Sequence, residues 1–220
     1  AHPHAVGFEA LVRAFRPEGT PVSPLELFAR TRSTAETVYL DRLCRVLHVV
    51  NFSRNAPPDT WLFLNINPQV IVEGHYFGAF FRELLASQRV APEQVVVEIL
   101  EGGIEDEAEL AAAVRYYRQL GCLVAIDDFG AGASNFDRIV RTAPDIIKLD
   151  RGMLQQAENN ATAGRLFPNL VELLHDSGSL VLIEGVETGA DALTALDSSA
   201  DFLQGYYLGR PAAGRVSSNS

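Results

Sequence analysis

The chain is poor in lysine, in cysteine and in positive charge, and it has no long apolar run. Lys148 stands alone beside 17 arginines, and 18 basic residues face 28 acidic ones, a formal charge of −10 over 220 residues. That balance excludes a broad positive field, so no nucleic acid polymer and no anionic membrane surface is expected as a partner. Any phosphate-bearing ligand must be held by local charge. Cys44 and Cys122 have no CxxC spacing and fall in segments that read as a helix and a strand. This excludes a disulfide framework and a cysteine zinc site, and it favours a reducing compartment, the cytoplasm. No stretch approaches the roughly 18 apolar residues of a membrane span, so no direct membrane insertion is expected of this segment. The opening AHPHAVGF lacks a charged region followed by a long apolar one, so no signal peptide is expected, and the segment fits the cytoplasmic part of a larger, membrane-anchored protein equally well.

What is present is an alternation. Short β-rich runs recur at residues 5–12, 61–66, 95–100, 122–128, 145–150, 180–185 and 201–205. Between them lie segments with helical spacing: Val38, Leu43, Val46, Leu47 and Val50 in one, and Leu110, Ala113, Val114, Tyr117 and Leu120 in another, which starts acidic and ends at Gly121. Continuous apolar strands alternating with helices predict a parallel α/β sheet, either a closed (β/α)8 barrel or a doubly wound fold. With 47% hydrophobic residues the chain can bury one large core. Residues 1–212 are read as one domain and 213–220 as a flexible tail.

The strand ends choose the barrel. Glu9, Asn65, Glu98, Asp127 with Asp128, Lys148, Glu184 and Gln204 each close an apolar run. A closed barrel gathers such ends around one mouth, whereas an open sheet spreads them along an edge. Acids that converge repel one another and take up protons unless cations neutralise them. Carboxylate and amide oxygens suit Mg²⁺ or Mn²⁺, and the lack of His or Cys at these ends argues against zinc. Lys148 lies inside the apolar pattern, where its ammonium would meet the acids; a structural salt bridge is the plainer alternative. The loop GAGASN, residues 130–135, lacks the endings of a P-loop or dinucleotide fingerprint and reads as a mobile loop or a tight turn. Arg13, four residues past Glu9, is placed to pair with a phosphate or to sit on the surface.

These motifs resemble those of EAL domains, bacterial phosphodiesterases that linearise cyclic di-GMP. FEALVR (8–13), LNIN (64–67), VEILE (97–101), AIDDFGAG (125–132), DIIKLD (145–150), IEGVET (183–188) and QGYYLGRP (204–211) follow in the family's order. The resemblance implies a modified (β/α)8 barrel whose first strand, antiparallel and marked by Gln-Pro-Ile, precedes the EAL strand; no such pattern occurs here, which accounts for seven runs rather than eight. It implies two ions of Mg²⁺ or Mn²⁺, one held by Glu9, Asn65, Glu98 and Asp127, the other by Asp127, Asp128 and Glu184. Lys148 would orient the attacking water, Glu184 would help take its proton, and Arg13 would hold a phosphate. Asp150, Glu187 and Gln204 match further pocket positions, and Glu101 matches the glutamate that anchors the loop after Asp128. The product would be pGpG, and the family setting admits a homodimer and fusion to sensory or other signalling domains.

The chain departs from the family at Ala131, Ala133, Asn135 and Leu100, and residues 31–35, TRSTA, lack the family's acids. None of these removes an expected ligand; they bear on loop closure, guanine contacts and dimerisation. A catalytically weak or inactive receptor or docking module is the alternative class, and another barrel hydrolase or an enolase-like lyase a third.

Overall fold

In a computed structural model, described over residues 4–72, 78–104, 106–132 and 136–212, all seven expected runs contain strands. β1 (Gly7–Glu9) is followed by a small antiparallel hairpin, β2 (Ala14–Phe15) and β3 (Pro21–Val22), that the sequence reading had not placed. Then come β4 (Trp61–Asn65), β5 (Val95–Leu100), β6 (Leu123–Phe129), β7 (Ile146–Leu149), β8 (Leu180–Ile183) and β9 (Phe202–Leu203). The main sheet runs β1-β4-β5-β6-β7-β8-β9 with parallel pairings throughout. This is an α/β half-barrel of the modified (β/α)8 kind, and no strand joins β9 to β1 among the described residues. The side chains of Ala133 and Asn135, that of Glu101 and the 213–220 tail lie outside the described residues.

The helices are α1 (Pro24–Ala29), α2 (Thr34–Asn55), α3 (Pro68–Val72), α4 (Phe80–Gln88), α5 (Glu107–Gln119), α6 (Phe136–Thr142), α7 (Arg151–Asn159), α8 (Ala161–Asp176) and α9 (Gly189–Asp197). α5 follows its sequence signals. Asp106 accepts from the Ala108 and Glu109 N–H groups at its start, Gly121 takes φ +93° at its end, and Leu110, Ala113, Val114 and Tyr117 are buried. α2 follows its spacing only in part: Val38 is buried and Val46 packs against the core. Leu43 and Leu47 are exposed, while Asp41, Arg45, Val49 and Phe52 are buried, because an internal ion pair occupies the face that the apolar spacing had assigned elsewhere.

Strand side chains alternate between two environments. Leu62, Leu64, Val95, Val97, Ile99, Val124 and Ile126 pack outward in one helix-facing cluster, and Ile147, Leu149, Val181 and Ile183 in another. Phe63, Val96, Ala125, Ile146 and Leu182 face inward with Trp61, Leu123 and Phe202. This inner layer fills the barrel as a plug. Gly7 belongs to it by omission: a Cβ there would lie 2.7 Å from the Phe63 ring, so only glycine leaves the ring its space.

At the opposite, N-terminal end, two aspartates repeat one device. Asp145 donates its N–H to Val124 O at 2.9 Å, accepts from the Val124 N–H at 2.8 Å and pairs with Arg118 at 2.7 Å. Asp201 does the same with Val181, and meets His175 Nε2 at 2.8 Å. Each clasp ties a strand start to its neighbour and to the helix that leads into that neighbour.

Candidate active site

The period of the strand converts the inner plug into a polar rim. Two residues beyond Gly7, Phe63, Val96, Ala125, Ile146, Leu182 and Phe202 stand Glu9, Asn65, Glu98, Asp127, Lys148, Glu184 and Gln204. Each sits on the inward face, one layer nearer the strand's C-terminal end. The contacts close across the sheet. Asn65 Nδ2 donates to Glu9 Oε1 and to Glu98 Oε2, both at 2.9 Å, and Gln204 Nε2 donates to Glu9 Oε2 at 2.6 Å, spanning from β9 to β1.

Lys148 lies at the centre, 1% exposed, with Nζ 2.5 Å from Glu98 Oε1, 2.6 Å from Glu184 Oε1 and 3.0 Å from Asp127 Oδ1. Burial works against its ammonium, but Glu98, Asp127, Glu9 and Glu184 outweigh that and hold its pKa above the usual lysine range. One cation among so many acids leaves an excess of negative charge. Burial, with Glu9 and Asp127 adding to it against Lys148, pushes the Glu98 carboxyl well up. Burial and the charge of Asp127 raise Glu184 to about 7 against the pull of Lys148. Asp128 is raised by burial and by Asp127 and Asp150.

Adjacent strand residues normally point to opposite faces, which would turn Asp128 away from Asp127. A register irregularity between Ile126 and Phe129 against β7 solves this, with Asp128 at φ +57°. Asp tolerates the left-handed region better than most side chains. The result is that Asp127, Asp128 and Glu184 each bring a carboxylate oxygen within 4.8 Å of the others.

Beside this cluster a cavity of about 280 Å³ is lined by Asp150, Arg151, Glu184, Glu187, Gln204 and Tyr206. Asp150 caps α7 through the Gly152 N–H at 2.8 Å, and Glu187 accepts two bonds from Arg151 at 2.6 and 2.7 Å. Gly205 lets the wall fold tightly, since a Cβ there would lie 2.0 Å from the Val186 carbonyl oxygen. Arg13 is exposed and hydrogen-bonds the Val12 carbonyl; no contact places it in the acidic cluster.

An EAL-domain family model matches residues 1–211. The chain belongs to the EAL-domain family. Cyclic di-GMP phosphodiesterase PdeF of Escherichia coli K12 is 25% identical over 74% of this EAL domain and 22% of its own length. Five relatives, PdeF among them, are matched over only 20% to 39% of their own length. The Bacillus subtilis YkuI protein, solved in complex with cyclic di-GMP and calcium, aligns with TM-score 0.81 at 26% identity, over 97% of this chain and 53% of that one. A manganese and cyclic di-GMP complex of Klebsiella pneumoniae BlrP1 aligns with TM-score 0.81 at 25% identity, over 94% and 52%.

The EAL domain's acidic rim has the chemistry of a divalent-cation site. Glu98 Oε1 and Asp127 Oδ1 are buried, and apart from the Lys148 ammonium no donor among the described residues satisfies them. Hard oxygen donors with uncompensated charge suit a hard divalent cation. The structure thus brings Glu9, Asn65, Glu98, Asp127, Asp128, Lys148, Glu184 and Gln204 together, sets Asp150 and Glu187 at the adjoining cavity, and leaves Arg13 outside. Sequence reasoning missed Arg151, although it directly follows Asp150 at the start of α7, and it missed Asp41 with Arg45, an i, i+4 pair of opposite charges inside a helix.

Proposed function

We propose that this EAL domain hydrolyses cyclic di-GMP to linear pGpG with two divalent cations, Mg²⁺ or Mn²⁺, at the acidic rim. The observation that carries the reading is the approach of Asp127, Asp128 and Glu184 within 4.8 Å of one another beside Lys148. Glu9, Asn65, Glu98 and Asp127 would hold one ion, and Asp127, Asp128 and Glu184 the other; when bound, the ions neutralise the acids and make water a better nucleophile. The remaining work belongs to side chains. Lys148, held among carboxylates, orients the water. Glu184 helps take the water's proton at a carboxylate oxygen. The water oxygen bonds to phosphorus as the P–O3′ bond breaks, the proton passes to the leaving oxygen, and the product keeps a 5′-phosphate. Asp150, Glu187 and Gln204 line the substrate's cavity, and Arg13, exposed just past β1, would hold a phosphate.

The name of PdeF and the cyclic di-GMP held in the YkuI and BlrP1 structures support the substrate. In this reading the domain works in the cytoplasm, where Cys44 and Cys122 stay free, as one module of a larger signalling chain. The test is incubation with cyclic di-GMP and Mn²⁺ or Mg²⁺, with products separated by chromatography. Appearance of pGpG, and its loss in Asp127→Ala, supports hydrolysis. Tight binding without turnover overturns it in favour of a receptor.

A further inference from the structure

Asn65 is an exposed residue whose amide bridges Glu9 and Glu98. Each of those carboxylate oxygens keeps a second lone pair, so it can hold the amide and still face a cation. Besides these two bonds, the direction of the Asn65 side chain depends on the backbone that carries it. The turn that leaves β4 is fixed at two consecutive N–H groups. The Ile66 N–H bonds Glu98 O at 3.1 Å, and the Asn67 N–H bonds Asp41 Oδ1 at 3.1 Å.

Asp41 reaches this turn from the middle of α2, where it is 3% exposed. Its other oxygen, Oδ2, pairs with Arg45, itself 2% exposed, whose guanidinium lies over the rings of Phe80 and Phe81 at 5.6 and 5.5 Å. The pair is costly to bury and is kept from rotating by those rings. Asn67 in turn caps α3, accepting from the Gln69 N–H at 2.9 Å, and Gln69 Nε2 reaches back to Thr34 at the start of α2 at 3.4 Å. A buried carboxylate is thus spent on one backbone amide two residues beyond a rim side chain.

We propose that Asp41 is a positioning residue for Asn65: through the Asn67 N–H it holds the β4 exit so that the Asn65 amide stays aimed into the acidic rim. The inference rests on the cation-site reading above. The test replaces the buried pair with apolar side chains, Asp41→Leu with Arg45→Met, so that both charges leave together and no unpaired ion stays buried. Mn²⁺ affinity is measured by calorimetry below the melting point of each variant. The expected result is a folded protein with a Tm lowered only by the loss of the Asn67 acceptor, and Mn²⁺ bound about 10-fold more weakly, the range seen when a metal ligand loses its outer support. Asp41→Asn, which keeps an acceptor oxygen for Asn67, is expected to recover most of the affinity. Wild-type Mn²⁺ affinity in the double variant overturns the inference alone, whereas no Mn²⁺ uptake by the wild type overturns the cation site and the inference with it. Should the double variant fail to fold, hydrogen exchange in the wild type decides: a protected Asn67 amide supports the grip, and exchange at the unfolded rate overturns it.

Discussion

At the residue scale, Lys148 does with one ammonium what cations do for such a site when present: it keeps Glu98, Asp127 and Glu184 from facing each other unshielded. Lys148→Met keeps the length and removes the charge. Turnover is expected to fall by about 10² to 10⁴, with a much smaller loss of cyclic di-GMP affinity measured in the presence of Ca²⁺. In the metal-free state the same change costs on the order of 3–5 kcal/mol, because buried acids lose their partner. Equal loss of affinity and rate would make the lysine a binding group only. The raised acids carry a second expectation. Glu184 binds its proton more tightly folded, with a pKa of about 7, than unfolded near 4.5. Its contribution to stability is therefore complete below pH 4.5 and lost as pH rises through 7. With chelator present, Tm is expected to drop between pH 5 and 8, and Mn²⁺ to flatten that slope. A chelated protein whose Tm rises over this interval would contradict the electrostatics described for the rim.

At the element scale, the irregularity in β6 is the decisive device, since a regular strand would show only one of its two aspartates to the mouth. Asp128→Gly accepts φ +57° at no steric cost and removes one carboxylate. Tm is expected to hold while calorimetry finds one bound Mn²⁺ in place of two; retention of two would remove Asp128 from the ligand set. The clasps at the far end of the barrel act on stability instead. Asp145→Ala strands the Val124 N–H and frees Arg118, and is expected to cost about 1–3 kcal/mol in denaturant unfolding. Turnover per folded molecule should stay at the wild-type level. A loss of rate there would mean that the two ends of the barrel are mechanically coupled.

At the scale of the whole molecule, the seven strands were legible because parallel strands buried on both faces read as unbroken Val, Ile and Leu runs. The rim was legible because a charged residue closing such a run has few other uses. Other features left no trace in the pattern. The β2–β3 hairpin is built from two-residue strands, one containing Pro21, too short to show a period. The buried face of α2 was only partly legible, because Asp41 and Arg45 are buried beside Val49 and Phe52 only once the helix is docked on Phe80, Phe81 and Asn67. Nothing in the residue type of Asp128 announces a left-handed backbone. The amino-acid sequence by itself determined the α/β class, the order of the strands and which acids close them, because periodicity and polarity are local properties. Only the tertiary structure decided that Asp127 and Asp128 face the same way, that Gln204 reaches Glu9 across 195 residues and that Arg13 stands apart, because those depend on backbone angles and long-range approach that no local pattern records.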